Sequence, residues 1–238
     1  MDYKRILAVG DIHGMYGKLI ALMEKVKFNP EQDLLIFLGD YIDRGPQSLQ
    51  CLDYVMALNK QYPDRVIPLL GNHEVMCLNY YDYELHKRSL MDNFGKQMVL
   101  VWLDSGGKDT YRQFKNLKRA ELYKRLWWMR MLSNHYQIGD YYFCHAGIQP
   151  FIPLMKQREA DLLWMREGFF KLYDGRHGTI VVGHTPVDYL PKNYWVDGEP
   201  PSTPQFLTNN IIMCDTGGYH DGGKLSCVDV LSKRYWQA

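Results

Sequence analysis

Six apolar runs in this chain lead into an aspartate, an asparagine or a histidine, the placement expected of ligands gathered along the C-terminal edge of a sheet. Ile6 to Val9 leads into Gly10-Asp11-Ile12-His13-Gly14, Leu34 to Leu38 into Gly39-Asp40, and Val66 to Leu70 into Gly71-Asn72-His73-Glu74. Tyr141 to Cys144 leads into His145-Ala146-Gly147, Ile180 to Val182 into Gly183-His184-Thr185, and Ile211 to Cys214 into Asp215-Thr216-Gly217. Carboxylates, an amide oxygen and imidazoles together suit ions of the Mn, Fe or Zn type, and the adjoining glycines let the backbone turn sharply beside a crowded centre. A lone Asp after a strand is usually a turn former, and a lone buried His is usually a core residue. At about 5% usage per residue type, however, a four-residue piece matches by chance about once in ~10⁵ sites. Three such pieces in order therefore argue for metal chemistry.

Positioning these groups calls for an α/β fold. Over the first seventy residues the short apolar runs alternate with helix-compatible stretches at Leu19 to Val26 and Leu49 to Leu58, which is βαβαβ grammar. Near-continuous apolar runs mark strands covered on both faces, and right-handed crossovers make them parallel. From about 75 to 135 the spacing is helical, broken at Ser105-Gly106-Gly107, and reads as a helical insertion or cap. Strand patterns resume from Tyr136, with a turn at Gly139-Asp140. The runs at Tyr141, Ile180, Ile211 and Leu225 to Val230 predict a second sheet, mixed or antiparallel.

Composition limits the partners. The 238 residues, 46% of them hydrophobic, can bury one substantial core, so a single domain over 1–238 is expected. A formal charge of +1 provides no broad field for nucleic acid or anionic lipid, so any selectivity for an anionic partner must come from local groups. The five cysteines are odd in number and contain no C-x-x-C pair, which argues for reduced, buried thiols. Met1-Asp2-Tyr3-Lys4-Arg5 runs straight into a short apolar run with no signal-type segment, and no stretch approaches the ~18 apolar residues of a membrane span. A cytoplasmic setting without membrane partners is the expectation.

Gly10-Asp11-Ile12-His13-Gly14, Gly39-Asp40-Tyr41-Ile42-Asp43-Arg44-Gly45 and Gly71-Asn72-His73-Glu74 resemble the signature blocks of the phosphoprotein phosphatase family, within the calcineurin-like metallophosphoesterases. Ser105-Gly106-Gly107 with Thr110, His145-Ala146-Gly147, Trp164-Met165-Arg166-Glu167, Gly183-His184-Thr185-Pro186 and Asp215-Thr216-Gly217-Gly218 are similar to its bacterial and phage branch. The resemblance covers most of the chain and is weakest from Val75 to Leu132. It implies a metallophosphoesterase fold, with two central mixed β-sheets flanked by helices. Carried over motif by motif, it implies Asp11, His13 and Asp40 as ligands of one divalent ion and Asp40, Asn72, His145 and His184 as ligands of another, with Asp40 shared. Mn²⁺ is the expected metal, with Fe or Zn as alternatives. A water bridging two such ions is acidified to hydroxide near neutrality and attacks phosphorus in line. His73 is then implied as general acid, Asp43 as the acceptor that orients its ring, and Arg44 and Arg166 as phosphate clamps.

The activity implied is Ser/Thr protein phosphatase, acting on a phosphoprotein or a small phosphorylated substrate. Symmetrical diadenosine polyphosphate hydrolysis shares every motif quoted. A nuclease or phosphodiesterase is disfavoured by Asp43-Arg44-Gly45 and the near-neutral charge, and a non-catalytic metal-stabilised binding module by the His73 and Asp43 pair. Asp215 reads equally as a carboxylate orienting a ligand imidazole or as a tight turn. His86, His135, His177 and His220 are expected to be structural, as is Cys144, which strand alternation points away from His145. Lys115, Lys118, Arg119, Lys124 and Arg125 read as a solvated helix face, and Trp127-Trp128-Met129 as core or cap packing.

Overall fold

The computed structural model describes residues 3–86, 100–194 and 199–238. The chain opens with β1 (Arg5–Val9), α1 (Tyr16–Val26), β2 (Asp33–Phe37), α2 (Ser48–Gln61) and β3 (Val66–Pro68). These three strands are parallel neighbours, with Leu7 opposite Leu35 and Leu35 opposite Val66. Successive side chains of a strand point to opposite faces, so β1 and β2 serve two cores at once. Leu7, Val9, Leu35 and Phe37 pack against Leu19, Leu22 and Val26 of α1 and Cys51, Leu52 and Val55 of α2. Ile6, Ala8, Leu34 and Ile36 face the other way, toward a second sheet.

That second sheet is built from β4 (His135–Ile138), β5 (Tyr141–Cys144), β6 (Thr179–Val182), β7 (Gln205–Leu207) and β8 (Ile211–Met213), in the order β4-β5-β6-β8-β7. Its core strands β5, β6 and β8 are parallel, and β4 and β7 are antiparallel at the two edges. Phe143, Val181 and Ile212 meet the first sheet, whereas Tyr142, Cys144, Ile180, Val182, Ile211 and Met213 pack with Leu162, Phe169 and Phe170 from α6 (Glu159–Trp164) and α7 (Glu167–Leu172). The result is helices, sheet, sheet, helices, with an apolar layer at each of the three junctions.

The strand at Leu225 to Val230 departs from expectation. It forms β9 (Ser226–Asp229), which pairs antiparallel with β1, Val9 opposite Cys227, and β10 (Arg234–Gln237) completes the first sheet in the order β10-β9-β1-β2-β3. An apolar run fits either sheet. What decides is that one side of β1 is taken by β2 and the other is open. β7 and β10 were not expected as strands, and β4 was marked only by the return of strand pattern at Tyr136 and the turn at Gly139-Asp140; each of the three is an edge strand, wetted on part of its surface.

Between β3 and β4 the described residues are mostly helical: α3 (Asn72–His86), a π-type turn at Leu103–Gly107, α4 (Lys108–Phe114) and α5 (Arg119–Arg130). The expected insertion at 75–135 includes 87–99, which lie outside the described residues, as does the His86 side chain. Two expectations for α5 need correction. Arg125 is not on a solvated face: only 8% exposed, it forms a fork of 2.8 and 2.7 Å onto Asp53 of α2 and reaches Glu121 at 2.9 Å. A charged head with its stem under a helix is held by paired, bidentate bonding. Trp127 is 66% exposed, while Met129 is buried and Trp128 packs against the core. All five cysteines are free and buried. Among the described residues, no helix is long and apolar enough to cross a membrane.

Candidate metal centre

The parallel strands of both sheets end along one edge, and that edge collects the residues singled out by the sequence. Hydrogen bonds tie the two sheets together there: the His184 N–H lies 3.0 and 3.1 Å from the two carboxylate oxygens of Asp11, and His145 Nδ1–H donates to Leu38 O at 2.8 Å. The glycines work here chiefly by absence. A Cβ on Gly71 would stand 2.2 Å from Asp40 Oδ1, and one on Gly183 would stand 2.2 Å from Asp11 Oδ1. Of the eight non-glycine residues at positive φ among those described, five are His13, Asp40, Asp43, Arg44 and His184. Left-handed backbone costs energy for such residues, and its concentration here points to a site held by its surroundings.

Asp40 is the centre of the arrangement. Its Oδ2 lies 3.4 Å from His13 Nε2 and 4.0 Å from His73 Nε2, and its Oδ1 lies 3.4 Å from His145 Nε2. His13 Nε2 is also 3.9 Å from Asp11 Oδ2. On the Oδ1 side, Asn72 Oδ1 stands 2.8 Å from His145 Nε2 and 3.1 Å from His184 Nδ1, and those two nitrogens are 3.2 Å apart. These are mostly lone-pair atoms aimed at one another, which is repulsive unless a proton or a cation lies among them. Ligands at ~2.1 Å from one ion stand ~3 Å from each other, so the spacing fits. His13 and His145 each turn their other nitrogen to a backbone carbonyl, Nδ1–H donating to Ile42 O at 3.0 Å and to Leu38 O at 2.8 Å. That fixes the tautomer and leaves Nε2 free to ligate.

Charge follows from burial and crowding. Burial and the Asp215 carboxylate push Asp11 well above the usual carboxylate range. Asp40 stays well below it, although burial opposes this, because His145 and His73 stand beside it. Burial works against charge on His145, yet Asp40 lifts it to about 9. Burial, with His145 next, lowers His184 to about 2, and burial with His73 drives His13 well below its ordinary value. A bound cation would compete with the proton on His145, since both use the Nε2 lone pair.

Beside this cluster, His73 Nδ1–H donates to Asp43 Oδ2 at 2.7 Å. The Asp43 carboxylate also accepts from Trp102 Nε1 at 2.8 Å and from the Thr110 hydroxyl at 2.6 Å. Its ring partner is therefore rigidly held. Arg44 bridges the two imidazoles, with Nη1 3.0 Å from His13 Nε2 and Nη2 3.2 Å from His73 Nε2. Its backbone N–H donates to Gly106 O at 3.0 Å, and its guanidinium lies 4.2 Å from the centre of the Tyr219 ring. Arg166 sits at the rim, exposed, with Nη1 donating to Thr185 Oγ1 at 3.2 Å, beside His184. Asp215 adopts the turn geometry: Oδ1 accepts the Gly217 N–H at 2.9 Å, and no bond joins it to an imidazole among the described residues.

Sequence reasoning assigned no role to Glu74, Trp102, Thr110 or Tyr219. Glu74 is fully buried and accepts from the backbone N–H groups of Asp40 (2.8 Å), Tyr41 (2.9 Å), Gly71 (3.1 Å) and Ile42 (3.4 Å), clamping the left-handed turn that carries Asp40. Burial, with Asp40 next, pushes its carboxyl up to about 7. Its place in Gly71-Asn72-His73-Glu74 was the available signal. Glu74→Gln turns an amide N–H toward two of those donors and is expected to cost about 1–3 kcal/mol in stability and to loosen metal retention. Thermal unfolding and metal content after dialysis check this; an unchanged melting temperature would remove the clamp.

The family model described as calcineurin-like phosphoesterase matches residues 4–217. "Serine/threonine-protein phosphatase 1" of Salmonella typhimurium is 31% identical over 197 residues, covering 78% of this chain and 81% of that protein. A symmetrical bis(5'-nucleosyl)-tetraphosphatase of Methylococcus capsulatus is 31% identical over 145 residues, 61% of this chain and 44% of that protein. Among solved structures, a putative diadenosine tetraphosphatase superposes with a TM-score of 0.69 at 19% identity, covering 98% and 92% of the two chains, which speaks for the fold. With most of its length matched, the chain belongs to the calcineurin-like phosphoesterase family.

Proposed function

We propose that this phosphoesterase is a metal-dependent phosphatase of the Ser/Thr protein phosphatase type, cytoplasmic and acting on phosphate monoesters. The observation that carries it is Asp40, which offers one oxygen to each of two ligand clusters beside an imidazole already paired with a carboxylate. In this reading Asp11, His13 and Asp40 hold one divalent ion and Asp40, Asn72, His145 and His184 a second. Mn²⁺ suits that donor set best, with Fe or Zn admissible, because Mg²⁺ favours carboxylates and water over imidazole. Such an ion pair supplies an acidified water and withdraws charge from the phosphate.

The chain's own residues do the rest. Asp43 holds His73 by Nδ1 and so reserves Nε2 for a proton delivered to the leaving oxygen. Arg44 Nη2 now points at that same Nε2. A phosphate drawing Arg44 onto its own oxygens would leave His73 free to carry the proton. Arg166, anchored on Thr185, closes the phosphate from the rim. Arg166→Ala is expected to raise KM and lower kcat together, at about 1.5–3 kcal/mol in kcat/KM. Steady-state kinetics on a phosphoserine peptide measures it, and an unchanged kcat/KM would place Arg166 outside the site.

A second reading, symmetrical hydrolysis of dinucleoside tetraphosphates, is supported by the name of the Methylococcus relative, less than half of whose length is matched. Protein stripped of metal and reconstituted with Mn²⁺ should be assayed on phosphoserine peptides, dinucleoside tetraphosphates and bis-aryl phosphates. Turnover of peptides above the others supports the first reading. Turnover confined to the dinucleotides would replace it with the second.

A further inference from the structure

A cavity of ≈ 310 Å³ opens between α7 and the segment after His184, lined by Arg166, Thr185, Phe170, Leu190, Tyr189 and Pro191, with Lys171 and Asn193 also on its wall. It shares Arg166 and Thr185 with the rim of the metal centre, so an occupant would lie beside a phosphate held by Arg166. Its volume sits at the bottom of the ~300–1,000 Å³ range of ligand pockets, room for one large side chain. Its wall is mainly apolar, with Phe170 and Leu190 buried. The charges on its wall are accounted for: Lys171 pairs with Glu167, which also lines the cavity, at 2.9 Å, and Arg166 is committed to Thr185 and, in the proposed reading, to phosphate. Nothing inside calls for an ionic occupant.

Resting on the protein-phosphatase reading, we propose that this cavity is a specificity pocket for a bulky apolar side chain flanking the phosphorylated residue of a substrate protein. An extended chain advances ~3.3 Å per residue, so a side chain one or two residues from the phosphoserine reaches the cavity while the phosphate stays at Arg166. The Thr185 hydroxyl and the Asn193 amide stand beside the apolar wall as polar partners for the peptide backbone.

The test compares phosphoserine peptides carrying Leu, Phe, Lys or Ala at the two positions on either side of the phosphoresidue. The metal-loaded protein should turn over the Leu or Phe peptide with kcat/KM roughly 10–100-fold above the Ala peptide at one of those positions, the discrimination a hydrophobic pocket achieves. Asn193→Trp, which fills the mouth, and Tyr189→Ala, which strips one wall, should each bring that ratio toward one. Equal turnover of all four peptides overturns the pocket and leaves the phosphatase reading standing. A Leu preference that survives both substitutions places the selectivity elsewhere and also overturns it. Hydrolysis of dinucleoside tetraphosphate but of no phosphoserine peptide, with Asn193→Trp slowing the former, overturns both and assigns the cavity to a nucleoside.

Discussion

Asp40→Asn is expected to strip both ions and to lower kcat by at least about 10³-fold, because it removes the one carboxylate whose oxygens face both ligand clusters. An amide keeps the shape but presents an oxygen to one cluster and an N–H to the other. It also removes the negative charge that offsets repulsion between two cations. Asparagine tolerates the left-handed backbone of this position, φ 53, and the backbone N–H that Glu74 accepts is retained, so loss of the fold is not the expected cause. His13→Ala should weaken one ion only, since its Nε2 reaches the Oδ2 side alone. Mass-spectrometric metal content after dialysis, taken alongside kcat, separates these outcomes. Two ions per chain in Asp40→Asn would overturn the bridging role.

For His73→Asn the expected result depends on the substrate. The alkoxide of serine is a poor leaving group that needs a proton as the ester bond breaks, whereas p-nitrophenolate leaves nearly unaided. Hydrolysis of a phosphoserine peptide should slow by roughly 10²–10⁴-fold, and that of p-nitrophenyl phosphate distinctly less. Asp43→Asn should show the same gap more mildly and with some loss of stability, since the Trp102 and Thr110 donors also end on that carboxylate. Bound metal should stay near wild type in both. Equal slowing of the two substrates with metal retained would mean that His73 positions substrate and does not donate the proton. The contrast matters because His73 Nε2 stands 4.0 Å from Asp40 Oδ2, close enough for the imidazole to be a ligand instead, and a ligand's loss would show first in metal content.

The candidate residues other than Arg166 were legible because each follows a strand end within a few residues, so motif and position coincide in the sequence; Arg166, between α6 and α7, was marked only by the run Trp164-Met165-Arg166-Glu167. Their supports were not. Glu74 reaches Asp40 across 34 residues, Trp102 reaches Asp43 across 59, and Thr110 across 67, contacts that no local period announces. Tyr219 stands on Arg44 through a loop whose Gly218 and Gly223 carbonyls accept from Lys18, 200 and 205 residues away. Edge strands β7 and β10 were missed for a different reason: with one flank wet, they lack the apolar run by which β1, β2 and β6 declare themselves.

What the sequence by itself determined is therefore the local part: parallel βαβαβ order at the start, which polar residue types stand at the strand ends, and alternation that sends Leu7 and Ile6 to opposite faces. Tertiary structure alone decided that β9 joins β1, that Arg125 is buried on Asp53, and that both sheets bring their C-terminal edges together. Side-chain alternation has a period of two residues and is written in any short stretch. The choice of neighbour depends on which edges remain open and which apolar faces remain uncovered after the rest of the chain has packed. Asp40 can face two clusters only because that packing places His13 from one sheet and His145 from the other on either side of it.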